Sequence, residues 1–172
     1  KQAGGPRERG PWPCSGAERM NGKIIAIAII MITALFGAGL WYAQTRAYFE
    51  PLATAELVVT TASGDTLALA HSDFRGIDAA SSPLRFRACF RLDAAALAVL
   101  EGAMPHPEPT PLIAPDWFDC YDAGAIGAAI ADGSARAVLS IHEIHRGVDR
   151  VIAAFPDGRG FAWHQLNGTL EQ

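Results

Sequence analysis

The chain has 172 residues, of which 50% are hydrophobic and 19% are charged, and its formal net charge is −4 at pH 7. The charge is uneven, because residues 1–23 carry a net +3, whereas residues 44–172 contain nine arginines, no lysine and sixteen acidic residues. The net charge of −7 on residues 44–172 disfavours nucleic acids and anionic lipid surfaces as partners of that part of the chain.

Residues 1–19 are rich in glycine, proline and arginine, a composition that predicts a disordered leader with no fold of its own. Residues 20–23, Met-Asn-Gly-Lys, are typical of a natural start just before a membrane segment. Residues 1–19 are therefore either such a leader or upstream translated sequence.

An uncharged and almost wholly apolar run follows, from Ile24 to Ala43. Its 20 residues match the helix length needed to cross a hydrocarbon core of about 30 Å at about 1.5 Å per residue. Trp41 and Tyr42 lie at the end of the run, where amphipathic rings favour the headgroup zone. We predict a transmembrane anchor within residues 20–47, with the lipid bilayer as the partner of the apolar run. A cleaved signal peptide is the alternative, although its apolar core usually spans only about 7–15 residues.

The charges that flank the anchor predict its orientation. Because positively charged flanks stay in the cytoplasm, the net +3 of residues 1–23 places the N-terminus there and exports residues 48–172. This predicts a single-pass protein of the bacterial inner membrane with a periplasmic C-terminal domain. Arg46 lies close to the other end of the anchor, so a cytoplasmic domain with inverted topology is the alternative, and it predicts free thiols.

Residues 48–172 have the length of one domain, and their patterns predict an α+β fold with two helices packed on an antiparallel sheet of about five or six strands. Helices are expected after the capping residues Asp93 and Asp122. Residues 72–83 and 104–116 read as loops. The predicted strands, of which the first two form a hairpin and the last three a meander, are 56–61, 66–71, 84–91, 117–121, 136–145, 148–155 and 160–166.

Three cysteines are present, and Cys14 lies in the leader. Cys89 and Cys120 are the pair within the exported domain, where disulfides form and persist. We therefore predict a Cys89–Cys120 disulfide, which would close a loop of about 30 residues and stabilise the domain by roughly 3–4 kcal/mol. The alternative is two buried free thiols.

Alternation along residues 84–91 places Arg85, Arg87 and Arg91 on the same face of the strand as Cys89. Since a disulfide brings two Cα atoms to about 6 Å, the bridge would bring these arginines near two acidic residues that flank Cys120. Those acidic residues are Asp116 and Asp119. The expected result is a set of exposed ion pairs, each of little energetic value. An arginine-lined site for a small anion is the functional alternative.

Metal and catalytic signatures are weak throughout the sequence. His142 and His145 lie on a predicted strand, where an offset of three directs side chains to opposite faces, and a zinc site requires three or four ligands. Asp116, Asp119 and Asp122 lack the spacing of a calcium loop. The sequence has no Gly-x-Ser-x-Gly motif and no phosphate-binding glycine-rich motif. We predict no metal, no cofactor and no catalytic residue.

Three stretches carry a resemblance to a known family: residues 20–50, which begin Met-Asn-Gly-Lys-Ile-Ile, residues 140–150, Ser-Ile-His-Glu-Ile-His-Arg-Gly-Val-Asp-Arg, and residues 160–168, Gly-Phe-Ala-Trp-His-Gln-Leu-Asn-Gly. They resemble an uncharacterised family of short bacterial proteins with one N-terminal membrane anchor, a domain of unknown function. The resemblance spans residues 20–172 and implies the topology but no functional site.

Members of that family are sometimes labelled histidine kinase. This sequence has no phosphoacceptor-helix or ATP-lid motif, and residues 48–172 are too few for both a dimerisation and an ATP-binding domain. His142 is therefore not identified as a phosphoacceptor, and the chain is not a histidine kinase on sequence grounds.

Three hypotheses for function follow. The first is a non-enzymatic, membrane-anchored accessory protein that binds a membrane or envelope partner. The second is a periplasmic sensor or small-anion-binding domain that uses the face of Arg85, Arg87 and Arg91. The third is an uncharacterised enzyme, which convergence of His142, His164 and an aspartate in one cleft would favour.

Overall fold

The computed structural model describes residues 21–171, so the expectation for residues 1–19 lies outside the described residues. The chain divides into two compact units, one ending at Leu40 and one beginning at Trp41. The helices are α1 (Gly22–Tyr42), α2 (Ala94–Glu101) and α3 (Ala123–Ala131). The strands are β1 (Glu50–Leu52), β2 (Val58–Thr60), β3 (Thr66–Ala68), β4 (Ser72–Asp78), β5 (Arg87–Arg91), β6 (Arg136–His145), β7 (Val148–Ala154) and β8 (Arg159–Leu166).

Helix α1 contains the predicted apolar run except for Ala43, with which a π-helical turn, Ala43–Ala47, begins. The hydroxyl of Thr33 donates to the carbonyl oxygen of Ile29 at 2.9 Å, so the polar side chain in mid-helix is satisfied by the backbone. Within the described residues, Gly22–Ala47 is the one helix long and apolar enough to span a membrane, with a mean hydropathy of 2.5. This segment fits a single-pass anchor, and its length and composition also fit a signal sequence.

The eight strands form two sheets. Six of them make one antiparallel sheet in the order β1-β4-β5-β8-β7-β6, and β2 and β3 make a separate two-stranded sheet. Together with α2 and α3 they confirm the predicted α+β fold. The predicted meander is confirmed as β6, β7 and β8, in which Val151 lies opposite Leu139 on one side and Trp163 on the other. The predicted hairpin is also confirmed, but it lies outside the main sheet.

Both faces of the central strands are covered. On one face, Phe86, Ala88 and Phe90 belong to a core that includes Leu100 of α2 and Val59 of the hairpin. The opposite face belongs to a second core, which contains Cys89, Trp163 and, from α3, Ile126. Because side chains alternate along a strand, a central strand buried on both sides has no solvent face.

Both helices of the second unit begin where capping residues predict. Asp93 Oδ1 accepts the backbone N–H of Ala96 at 2.7 Å, and Asp122 Oδ1 accepts that of Ala125 at 3.0 Å. Each bond satisfies one of the amide groups that have no partner within the first turn of a helix.

We expect Asp93→Ala to lower the free energy of unfolding by about 1 kcal/mol, because the variant loses this capping bond. Denaturant unfolding of the full chain measures the change. Asp116→Ala is the matched control, since it removes an exposed carboxylate that caps no helix. Equal losses in both variants would show that charge, and not capping, is responsible.

Two local predictions were wrong. Residues 72–83 were expected to form a loop, but Ser72–Asp78 is β4, which pairs with β5 across a register shift between Ser72 and Arg75. Asp73 has a φ of 50° in this irregular stretch. Residues 117–121 were expected to form a strand, but they turn, with the N–H of Phe118 donating to the carbonyl of Pro115. The aromatic side chains of this segment pack in the hydrophobic core, and its backbone forms turns instead of a strand.

Candidate functional site

A disulfide joins Cys89 of β5 to Cys120, in the turn that precedes α3. The two Cα atoms lie 6.3 Å apart, and the cysteines are separated by 31 residues along the chain. The bridge therefore ties the centre of the sheet to the segment that positions α3.

The ion pair beside this bridge involves Arg75, which was not among the predicted site residues. Arg75 Nη2 lies 2.7 Å from Asp119 Oδ1. In the β4–β5 register Arg75 is the direct partner of Cys89, so the strand assignment of β4 is what places it there. Both side chains are largely exposed, and such a pair contributes only about 0–1 kcal/mol.

Arg87 is 4% exposed and donates to four backbone carbonyls, which belong to Leu84, Phe86, Leu112 and Ile113. Burial lowers the pKa of Arg87, and the charges of Tyr121 and Asp78 partly offset this. The guanidinium thus holds residues 104–116, which contain five prolines and which we call the proline-rich loop, against the sheet. Its donors are engaged within the chain.

The other members of the predicted cluster lie apart. The guanidinium of Arg85 lies over the rings of Tyr48 and Phe49, at 5.4 and 5.3 Å from their centroids. Arg91 and Asp116 are exposed and, within residues 21–171, neither forms an ion pair. The structure therefore brings Cys89 and Cys120 together, but it does not gather Arg85, Arg87 and Arg91 around the two aspartates.

A different set of side chains converges in a cleft of about 590 Å³ at the other end of the sheet from β1. We call it the Asp149 cleft. Its lining residues come from Leu84 before β5, from the proline-rich loop, from β6, β7 and β8, and from the residues just after β8. They are Leu84, Met104, Pro105, His106, Pro107, Glu108, Thr110, Leu112, Leu139, His142, Asp149, Gln165, Leu166, Asn167 and Gly168.

The loop wall of the Asp149 cleft is attached to the sheet through its backbone. Leu139 of β6 donates its N–H to the carbonyl of Met104 at 2.8 Å. Gln165 of β8 accepts the N–H of Thr110 and donates its side-chain amide to the carbonyl of Glu108. A wall held at several points keeps a pre-formed site open at little conformational cost.

Asp149 provides a carboxylate at the base of this cleft and is 5% exposed. Its Oδ1 accepts hydrogen bonds from the N–H of Glu143 at 2.9 Å and from Asn167 Nδ2 at 2.8 Å, and it lies 3.0 Å from His142 Nδ1. Its Oδ2 lies 3.8 Å from His106 Nε2. One oxygen is thus held by three groups of the chain and the other by none of the described residues.

The ionisation of the cleft follows from these contacts. Burial raises the pKa of Asp149, but hydrogen bonds from Glu143, Asn167 and His142 outweigh it, so the pKa is lowered overall and the carboxylate is ionised at neutral pH. Burial lowers the pKa of His106 by more than Asp149 raises it, so this imidazole is neutral. Among the residues that the structure describes, the lining contains Glu108 and Asp149 but no lysine or arginine, which makes the cleft acidic.

Asp149 and His106 were not among the predicted site residues. A signal for Asp149 existed, because Asp149 and Arg150 are charged residues in a strand that is otherwise apolar. His142 and His164 do not converge as an enzyme site would require, since His164 is stacked on Phe86 at 4.7 Å, on the opposite face of the sheet from Asp149.

Comparison with known families gives one match. A family model described as "Family of unknown function (DUF6446)" matches residues 57–172. This confirms the prediction of an uncharacterised domain of unknown function. No curated protein and no solved structure matches the chain.

Proposed function

We propose that this chain, which belongs to the family of unknown function DUF6446, is a single-pass membrane protein of the bacterial envelope with an accessory, non-enzymatic role. In this proposal α1 is an uncleaved inner-membrane anchor, and residues 48–172 form a periplasmic domain that binds a membrane or envelope protein. The observation that carries it is the combination of one apolar helix with a disulfide in the domain that follows.

Support for export comes from two independent features. The flank that precedes α1 is positively charged, and such flanks remain in the cytoplasm. The Cys89–Cys120 bridge is typical of oxidising compartments, because cytoplasmic reductants keep thiols reduced. Inverted topology would explain neither feature.

Support for binding comes from the Asp149 cleft. It is concave and mostly apolar and has a few polar groups at its base, as ligand sites usually do. The small-anion alternative has less support, because the Arg87 donors are engaged with backbone carbonyls and the cleft itself is acidic. The enzyme alternative has less support because His164 lies on the opposite face of the sheet from Asp149.

Topology is tested by alkylating thiols in intact cells, in a Cys14→Ser background. We expect Cys89 and Cys120 to resist labelling until a reductant is added. Ser63→Cys places a free thiol at an exposed turn as a matched control, and a membrane-impermeant maleimide should label it without cell lysis. If Cys89 and Cys120 react without reduction, and Ser63→Cys reacts only with a permeant reagent, the exported topology is wrong.

The accessory role is tested by photo-crosslinking in cells. A photoreactive residue replaces Leu166, which lines the Asp149 cleft and is 55% exposed. The matched control is Leu67 of the hairpin, which is 45% exposed. We expect a discrete protein adduct from position 166 and none from position 67. Repeated absence of any adduct from position 166 would contradict the proposed binding role.

A further inference from the structure

The base of the Asp149 cleft has unused hydrogen-bonding capacity. Asp149 Oδ2 is 3.8 Å from His106 Nε2, which exceeds the roughly 2.7–3.2 Å of an N–H···O bond. Nδ1 of His106 is buried, and no described residue bonds to it, although the His106 side chain is only 8% exposed. Among the described residues the buried Nδ1 meets no acceptor, so the proton of the neutral imidazole lies on Nε2, beside the carboxylate. At 3.8 Å this N–H does not saturate Oδ2, which keeps an acceptor position for a group that enters the cleft.

The chemistry of that group follows from the charges around it. The carboxylate of Asp149 is an acceptor, and within residues 21–171 the lining adds the charge of Glu108 and no lysine or arginine. A cation that enters the cleft gains a charge-assisted hydrogen bond, whereas an anion would meet two carboxylates. A neutral donor would gain a weaker bond. The site therefore favours a positively charged donor.

The geometry distinguishes between the two common organic cations. Oδ1 is already occupied by Glu143, Asn167 and His142, so only Oδ2 is free. A guanidinium binds best to both oxygens of a carboxylate at once, and this arrangement is not available here. An ammonium is a compact point donor, so one of its N–H groups can bond to Oδ2 alone.

The walls determine what the ammonium is attached to. Met104, Leu139 and Leu166 line the same cleft, and they present apolar side chains to whatever occupies it. An unbranched alkyl chain gains free energy by leaving water for such a surface. A free inorganic cation would gain nothing from these walls. Among the residues that the structure describes, no group of three or more His, Cys, Asp or Glu residues could hold a metal ion.

We propose that the Asp149 cleft binds an alkylammonium group, with one N–H donor on Asp149 Oδ2 and its alkyl chain against Met104, Leu139 and Leu166. A lysine side chain of a partner protein and a free alkylamine share this chemistry. The inference concerns the cleft alone and does not depend on the topology proposed above, so each can fail without the other.

The test uses the full chain in lipid nanodiscs and three probes of matched length: n-hexylammonium, n-hexanol and n-hexanoate. Isothermal calorimetry measures their affinities. We expect n-hexylammonium to bind at least about tenfold more tightly than either other probe, as a charge-assisted bond in a buried site implies. Equal affinity for all three probes, or no binding of n-hexylammonium, would overturn the proposal.

Two variants locate the binding. Asp149→Asn removes the charge but also alters a buried hydrogen-bonded group, so its fold must be checked by circular dichroism. Leu166→Lys leaves that group intact and introduces an ammonium from the chain itself, at an exposed position on the cleft. We expect each variant to weaken n-hexylammonium binding by at least about tenfold. Leu67→Lys, on the hairpin, is the matched control and should bind as the original chain does. An unchanged affinity in Leu166→Lys would place the binding elsewhere and refute the proposal.

A final comparison separates the two sources of the group. Nα-acetyl-lysine amide presents the ammonium and four-carbon chain of a lysine side chain with its peptide groups, and n-butylammonium presents the same chain and ammonium alone. Tighter binding of the lysine derivative supports a partner protein, and tighter binding of n-butylammonium supports a free amine. Failure of both probes to compete with each other would show that they occupy different sites, and would contradict the proposal.

Discussion

Replacing Cys89 and Cys120 together by alanine will lower the free energy of unfolding of the domain by about 3–4 kcal/mol. The bridge spans 31 residues, and in the chain-entropy model a loop of that length restricts the unfolded chain by this amount. The loss is large beside the roughly 5–15 kcal/mol that usually stabilises a domain. Denaturant unfolding of the full chain in detergent, followed by tryptophan fluorescence, measures it.

Two comparisons separate the effect of the disulfide on the free energy of unfolding from the effects of neighbouring groups. Reduction of the original chain should reproduce the loss seen in the double alanine variant. Asp119→Ala removes the Arg75 ion pair beside the bridge and should cost less than about 1 kcal/mol, because both partners are exposed. If the double variant lost no more than Asp119→Ala, the disulfide would not be a main source of stability.

The second large effect is a loss of stability in mild acid, which His164 should cause. This imidazole is 2% exposed, its Nε2 accepts Arg150 Nε at 3.0 Å, and its Nδ1 lies 2.7 Å from the carbonyl oxygen of Pro83. These partners require the neutral ring with its proton on Nδ1. Burial lowers the pKa of His164 from 6.5 to about 4, with the Pro83 carbonyl opposing the shift and Arg150 adding to it.

The direction in which the free energy of unfolding changes with pH follows from proton binding to His164 in the folded and unfolded states. Below pH 6.5 the unfolded chain binds a proton at His164, whereas the folded domain binds it only near pH 4. The stability that the domain gains from keeping His164 neutral is therefore fully present above pH 6.5, and it is lost as the pH falls from 6.5 to about 4. A shift of this size corresponds to at most roughly 3 kcal/mol. His106, whose pKa burial also lowers, adds a loss in the same direction.

Denaturant unfolding at several pH values between about 7 and 4 tests this expectation. His164→Gln supplies one acceptor and one donor but no titrating group, so it should remove most of the pH dependence. His145→Gln is the control, since it removes a neighbouring exposed imidazole and leaves the Arg150–His164 bond in place. A His164→Gln variant with undiminished pH dependence would assign the effect to other groups.

The elements that were predicted correctly depend on local patterns. Helix α1 follows from an uninterrupted apolar run, and α2 and α3 follow from aspartate caps within three residues of the amides they bond. The meander follows from alternating strands separated by short turns. Each of these signals lies within a few residues along the chain, so the sequence alone contains it.

The elements that were missed depend on distant partners. The strand β4 contains few apolar residues, and it is a strand because β1 and β5 pair with it on both sides. Residues 117–121 look like a strand by composition, but their aromatic side chains pack around the disulfide and α3. In both cases tertiary pairing and packing outweighed local propensity.

The sequence by itself determined one apolar helix followed by an acidic α+β domain with two cysteines, because hydropathy, charge and caps are properties of neighbouring residues. Tertiary structure decided the candidate site. The Asp149 carboxylate contacts His142, Asn167 and His106, which come from three separate segments of the chain. Likewise Asp119 pairs with Arg75 and not with Arg85, Arg87 or Arg91, because sheet register determines which arginine lies beside Cys89. Such contacts form only when the sheet brings distant segments together, so no local pattern predicts them.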